Sequence, residues 1–257
     1  MSFFNWKTKD YEVVVLYRYD DFKHVDKNQF ENICSYLTDL YQLNFTFMSF
    51  FTADFVKDYV YRIDDGLKKI EKIGWRNVIT AAVYNSDFRK SSAEFSFTLS
   101  ITNNPSRITL LIPRNKKFDI KAFLLTLQKA FKPDYGFNYF TAKGEWATAY
   151  GHTKYWKLSS MDGVSKLSKK DNERFGASHQ QVRRGLFRDI FYVNILNFQH
   201  VCRKIEGTLM PDYIKEHNLG VIQLVYEDVY LWTLDKDQLE IARKLLISEL
   251  TDNSLIA

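Results

Sequence analysis

Apolar and polar residues alternate most clearly between Glu94 and Thr102, where Phe95, Phe97, Leu99 and Ile101 interleave with Ser96, Thr98, Ser100 and Thr102. A period of two belongs to a β-strand with one face in a core and the other in a polar setting. The turn cluster Asn103-Asn104-Pro105-Ser106 follows, and Ile108, Leu110 and Ile112 continue on a return strand that Pro113 stops. The pattern predicts an antiparallel hairpin beside a third strand over Val78 to Tyr84. Val13 to Tyr19 is β-branched and aromatic with little alternation, as in a strand covered on both faces. Asn44 to Phe51 reads as a further aromatic strand.

Helical spacing takes over elsewhere. After Asp26, a capping residue, Phe30, Ile33, Cys34, Leu37, Leu40 and Tyr41 recur on one face. A long helix is predicted from about Asp54, with Val56, Val60, Ile63, Leu67 and Ile70 inward and Gly74 at its end. Another, from Phe118 to Phe131, turns Ile120, Phe123, Leu124, Leu127 and Phe131 to the core. Pro133-Asp134-Tyr135-Gly136 reads as a turn, and Phe137 to Leu158 is aromatic without a convincing period. Ser159 to Arg184 has almost no apolar spacing and reads as a long surface connector. Beyond Gly185 comes a short helix around Met210 to His217. A hairpin of Val221 to Tyr226 and Val229 to Leu234 follows, and then a capped helix from Asp235 that buries Leu239, Ala242, Leu245, Leu246 and Leu250.

Strands and helices in this order, with antiparallel hairpins, predict an α+β fold: a mixed, largely antiparallel sheet arrangement with packed helices. The expected organisation is an α+β unit over 1–158, a basic connector over 159–184, and a C-terminal helix–hairpin–helix unit over 185–257 packed on the first. A chain of 257 residues is compatible with one core or with two intimately associated halves.

The 46% apolar and 26% charged composition excludes wholesale disorder, and the abundance of Phe and Tyr, at 21 and 16, points to an aromatic-rich core. No stretch approaches the roughly 18 apolar residues of a spanning helix, and the amino-terminal residues lack the pattern of a signal peptide. The cytoplasm is the default location and a membrane is not expected. Cys34 and Cys202 stand far apart in sequence and read as reduced, buried thiols. The net charge of +5 is milder than that of most nucleic-acid modules.

Candidate chemistry is sparse. His24, His152, His179, His200 and His217 offer no metalloprotease spacing, and His200-Val201-Cys202 has no second pair to complete a zinc site. There is no Gly-x-Ser-x-Gly elbow, dinucleotide fingerprint or phosphate loop. The triplet Asp119-Ile120-Lys121 matches part of a metal-dependent nuclease motif, but at a helix start its carboxylate serves as a cap. The consecutive pairs Asp20-Asp21 and Asp64-Asp65 diverge and read as cap or surface residues. No catalytic residue, metal or cofactor is therefore assigned, although a triad assembled in space leaves no mark in sequence.

The non-random polar feature is the connector. Lys166, Lys169, Lys170, Arg174, Arg183 and Arg184 are offset only by Asp171 and Glu173, and they are the expected partner-binding residues. Tyr155, Trp156 and Phe175 nearby could stack on single-stranded nucleic acid. The competing interpretation is a solvated loop kept soluble by its lysines.

The run Gly185-Leu186-Phe187-Arg188-Asp189-Ile190-Phe191 continues through Asn194-Ile195-Leu196-Asn197, His200, Gly207-Thr208-Leu209, Tyr213-Ile214, Gly220 and Trp232. Roughly over its last quarter the chain resembles uncharacterised bacterial proteins that are themselves similar to immunity proteins of polymorphic toxin systems. Where those often carry Tyr-Pro, this chain has Phe191-Tyr192. The resemblance implies a non-catalytic, stoichiometric protein-binding protein that neutralises a co-encoded toxin, and it carries over no binding residues. Physically, Arg188-Asp189 reads as an adjacent pair that caps backbone groups or pairs with distant charges. An inhibitor of a basic nuclease would be acidic, so the positive charge points to a non-nuclease toxin or a local acidic contact. The alternatives are an enzyme with a dispersed site and a nucleic-acid-associated or phage accessory protein. A nucleic acid ranks behind a protein as the expected partner, and the sequence leaves the oligomeric state open.

Overall fold

The run Tyr11–Arg18 forms β1, and every residue from Val13 to Tyr17 is fully enclosed, as its uninterrupted apolar character requires. The computed structural model describes residues 11–19, 25–52, 60–87, 95–101, 105–141, 164 and 175–251. Around β1 are β2 (Phe47–Thr52), β3 (Tyr61–Arg62), β4 (Val78–Tyr84), β5 (Ser96–Ser100), β6 (Ser106–Pro113) and β7 (Tyr135–Thr141). From the C-terminal part come β8 (Val193–Leu196), β11 (Val221–Tyr226) and β12 (Val229–Thr233), while β9 (Lys204–Ile205) and β10 (Thr208–Leu209) form a separate ribbon. Among the described residues the large sheet has ten strands in the order β11-β12-β8-β7-β1-β6-β5-β4-β2-β3, antiparallel at each of these pairings. The fold is α+β.

Helices cover both faces. Alternate residues Val14 and Leu16 of β1 share a core with α1 (Lys27–Tyr41), α2 (Ile63–Ile73) and α3 (Ile120–Leu127). The other set, Val13, Val15 and Tyr17, packs with α4 (Phe175–Arg183), α6 (Met210–Glu216) and α7 (Lys236–Leu245). The short α5 (Phe198–Val201) joins β8 to β9. The C-terminal strands thus extend the sheet to which the first strands belong, through the pairing of Tyr135 with Leu196 across β7 and β8.

The hairpin of β5 and β6 pairs Phe97 with Leu110 and Leu99 with Ile108, and β4 lies beside it as the alternation predicts. Its polar face is enclosed as well: Ser96 and Ser100 are buried, and the hydroxyls of Ser100 and Thr80 stand 2.8 Å apart. Caps were legible too. Asp26 accepts from Gln29 N–H, Asp119 from Ala122 N–H, and Asp235 forms a capping box with Gln238.

Several elements depart from the sequence expectation. The helix predicted from about Asp54 is not continuous over its described part: Tyr61 and Arg62 pair with β2 as β3, and α2 starts at Ile63; residues 53–59 lie outside the described residues. The helix predicted over Phe118 to Phe131 is shorter, ending at Leu127, although Phe131 is still buried. Tyr135 and Gly136, expected in a turn, open β7, whose lack of alternation reflects burial on both sides. Leu40 and Leu245, assigned to buried faces, are exposed, because the helices carrying them meet the sheet along a narrower stripe. The thiols are both free, but Cys202 is exposed rather than buried.

Candidate functional site

The residues singled out by charge separate into two groups. Lys166, Lys169, Lys170 and Arg174 lie outside the described residues, as do Tyr155 and Trp156. Arg183 and Arg184 are described, and both are exposed. The end of the expected connector is the helix α4 rather than a loop, with Arg183 in its last turn and Arg184 in the turn that follows. One face of α4 is anchored by Val182, which is fully buried, so the arginines project from a fixed support rather than from a free segment. Their charge also complements the negative end of the helix dipole, which gives them a local role.

Gly185 reverses the chain immediately afterwards. Its φ is +93°, and a Cβ there would fall 2.6 Å from the Gln199 carbonyl oxygen and 3.0 Å from Cδ of Arg203. Only glycine fits so close an approach in the left-handed region. The close approach sets the turn after Arg183 and Arg184 against Gln199 and Arg203, a further cation that sequence reading did not connect with it. Lys204 is exposed, whereas Arg203 is held by Glu249, with Nε to Oε2 at 2.7 Å.

Beneath α4 is a second, buried constellation. Sheet register aligns Thr80, Ser100, Arg107, Tyr17, Tyr135, Leu196 and Tyr230 across one row. His179 descends from α4 onto this row: its ring centroid lies 5.4 Å from that of Tyr17, and Nδ1 is 3.0 Å from the Tyr19 hydroxyl. Arg188 is buried, its Cζ lies 5.5 Å from the centroid of the Phe137 ring, and its backbone N–H donates to the Tyr135 hydroxyl. Guanidinium and phenol groups gathered this way are suited to holding oxyanions.

Electrostatics limit what the constellation can do. Burial, reinforced by the charges of Arg188 and Arg107, lowers the His179 pKa to about 3, so the ring is neutral near pH 7. Burial raises the Tyr17 and Tyr19 hydroxyls above their ordinary range, so both remain protonated. The pKa of Arg107 is lowered, chiefly by burial. A neutral imidazole with protonated phenols can share hydrogen bonds but lacks a base poised near neutrality.

The remaining candidates of the sequence have structural partners. Asp189 accepts from its neighbour Ile190 N–H and from Arg243, whose Nε is 3.2 Å from Oδ1, which is the capping and pairing role expected of Arg188-Asp189. His200 is fully buried, stacks on Tyr135 and takes part in a capping box with Asn197; burial lowers its pKa to about 3. Asp134 accepts from Tyr19 N–H. Among the described residues no group of three His, Cys, Asp or Glu stands close enough to hold a metal ion. Nor, among them, is any helix long and apolar enough to cross a membrane.

Sequence reasoning missed Arg107, Tyr17, Tyr135 and His179 as a group, because strand register and the seating of α4 on the sheet bring them together. The available signal was Arg107 itself, a cation inside an otherwise apolar and hydroxylic strand. No protein-family model, curated protein or solved structure matches this chain.

Proposed function

We propose that this chain is a non-catalytic protein-binding protein of the immunity type, which neutralises a toxin in the cytoplasm. The observation that carries the reading is the exposed pair Arg183 and Arg184, displayed at the end of a helix anchored to the sheet. Fixed charges on a rigid support steer an acidic partner at little ordering cost. The resemblance of the C-terminal quarter to immunity-like proteins points the same way. Asp189, His200 and Asp119, the most chemically suggestive side chains, serve caps and ion pairs, which is also what a binding scaffold requires.

Co-expression with the product of the adjacent reading frame tests this. The expected result is relief of growth arrest and a one-to-one complex, with association slowed by about tenfold or more in the double variant Arg183→Glu, Arg184→Glu and steeply dependent on salt. Absence of both rescue and complex overturns the reading. Retention of oligonucleotides with the same salt dependence would replace it with the nucleic-acid alternative.

A second reading, an enzyme with a dispersed site, is favoured by the buried gathering of Arg107, Arg188, His179 and tyrosines described above. The neutral imidazole counts against acid–base chemistry there and leaves binding of an oxyanion as the chemistry those groups favour.

A further inference from the structure

β11 ends the ten-stranded sheet, and among the described residues it pairs on one side only, with β12. Alternate backbone N–H and C=O groups of an edge strand point outward and can pair with another strand. Natural edges are commonly guarded by charged residues or proline. The sequence Val221-Ile222-Gln223-Leu224-Val225-Tyr226 has neither, and two of its apolar side chains, Val221 at 62% and Leu224 at 54% exposure, stand in solvent on opposite faces. Its irregularity is confined to the end, where the register shifts between Leu224 and Tyr226.

The flank of this edge has a defined sign. Lys121 of α3 donates to Gln223 Oε1 at 3.1 Å, and Lys132, beyond the end of α3, pairs with Glu227 and Asp228 at the hairpin tip. These two attachments lay α3 along β11. Between them Leu125 follows Lys121 by four positions and so lies on its side of the helix, while Lys129 stands in the turn after α3. Leu125 and Lys129 are both exposed, and α3 itself contains no carboxylate. The edge is therefore an uncharged strand bordered on one face by a lysine–leucine stripe, Lys121 and Leu125 of α3.

We propose that β11 receives an extended segment of the protein partner as an eleventh strand, with its acidic side chains on the face of Lys121 and its apolar ones on the opposite face, against Leu224. This deepens the protein-binding reading above and rests on it, while naming a surface distinct from Arg183–Arg184. Backbone hydrogen bonds supply the docking, and Lys121 selects the sign of charge.

The test uses the full chain and two labelled peptides, one alternating Glu and Val, the other Lys and Val, read by fluorescence anisotropy and amide hydrogen exchange. The expected result is that the acidic peptide binds about tenfold or more tightly than the basic one and slows exchange of β11 amides. Leu224→Lys, an exposed substitution whose folding is checked by its melting curve, should weaken binding by a similar factor. Lys121→Glu should reverse the charge preference. Unprotected β11 amides, or affinity unchanged in Leu224→Lys, overturn the proposal. So does a concentration-dependent dimer of the free chain that Leu224→Lys dissolves, which would make a second copy the occupant. Growth rescue by co-expression is scored separately, so a strand site without toxin neutralisation would refute the immunity reading alone.

Discussion

At the scale of single residues, the two buried histidines tie the stability of this protein to pH. His179 and His200 titrate at about 3 in the native state, in each case chiefly because burial penalises the imidazolium. In the unfolded chain each takes up a proton as pH falls through ~6.5. Between these values the unfolded state binds more protons than the native one, so stability falls as pH falls. On going from pH 7 to pH 5 each histidine should cost about 2 kcal/mol, measured by urea unfolding at the two pH values. His179→Phe should flatten the dependence by roughly half of the histidine contribution; an unchanged slope would show that its imidazole titrates normally. Neither effect was legible in sequence. His200 stands among polar and apolar neighbours that give no hint of full enclosure, and His179 lies in a stretch with too few apolar residues to suggest a core.

The element scale is where sequence reading succeeds and where its limit is also clearest. The hairpin of β5 and β6 was legible because its two faces differ in polarity, so that only one register buries the phenylalanine side. Phe97 is fully enclosed and its ring lies 5.5 Å from that of Phe30 on α1. Phe97→Ala should therefore cost about 3–5 kcal/mol in denaturant unfolding, and a change within assay error would mean that the ring contributes no packing. β7 was illegible for the opposite reason: Tyr135 to Tyr139 are buried on both faces, so alternation is lost and the aromatic run resembles any other. α4 shows a third case. The stretch before Gly185 has few apolar residues, but His179 through its ring contacts and Val182 through burial help seat it on the sheet. Of the candidate surface, Arg183 and Arg184 could be named from charge alone. The approach of the following turn to Gln199 and Arg203 depends on the left-handed Gly185.

For the whole molecule, the pairing of β7 with β8 matters most, because it continues one sheet from the first strands into the last. Each side of β1 supports a separate apolar cluster, so unfolding either layer exposes the same central strand. The described elements should accordingly unfold in one cooperative transition. Native-state hydrogen exchange checks this: the slowest amides of β5 and of β12 should converge on the same opening free energy as denaturant rises. Two distinct isotherms would mean that the two ends of the sheet are independent units.

Sequence alone determined the local alternation, the capping aspartates, the C-terminal hairpin and the α+β class, since each depends on neighbours a few positions apart. It also identified Arg183 and Arg184 as exposed cations, because nothing apolar nearby could enclose them. Only the tertiary structure decided that ten of the described strands share one sheet, that Arg107, Tyr17 and Tyr135 stand in one row beneath His179, and that β11 is left at an edge beside Lys121 of α3. Those relations join residues far apart in the chain, where strand order and register, rather than any spacing a reader can count, set which side chains meet.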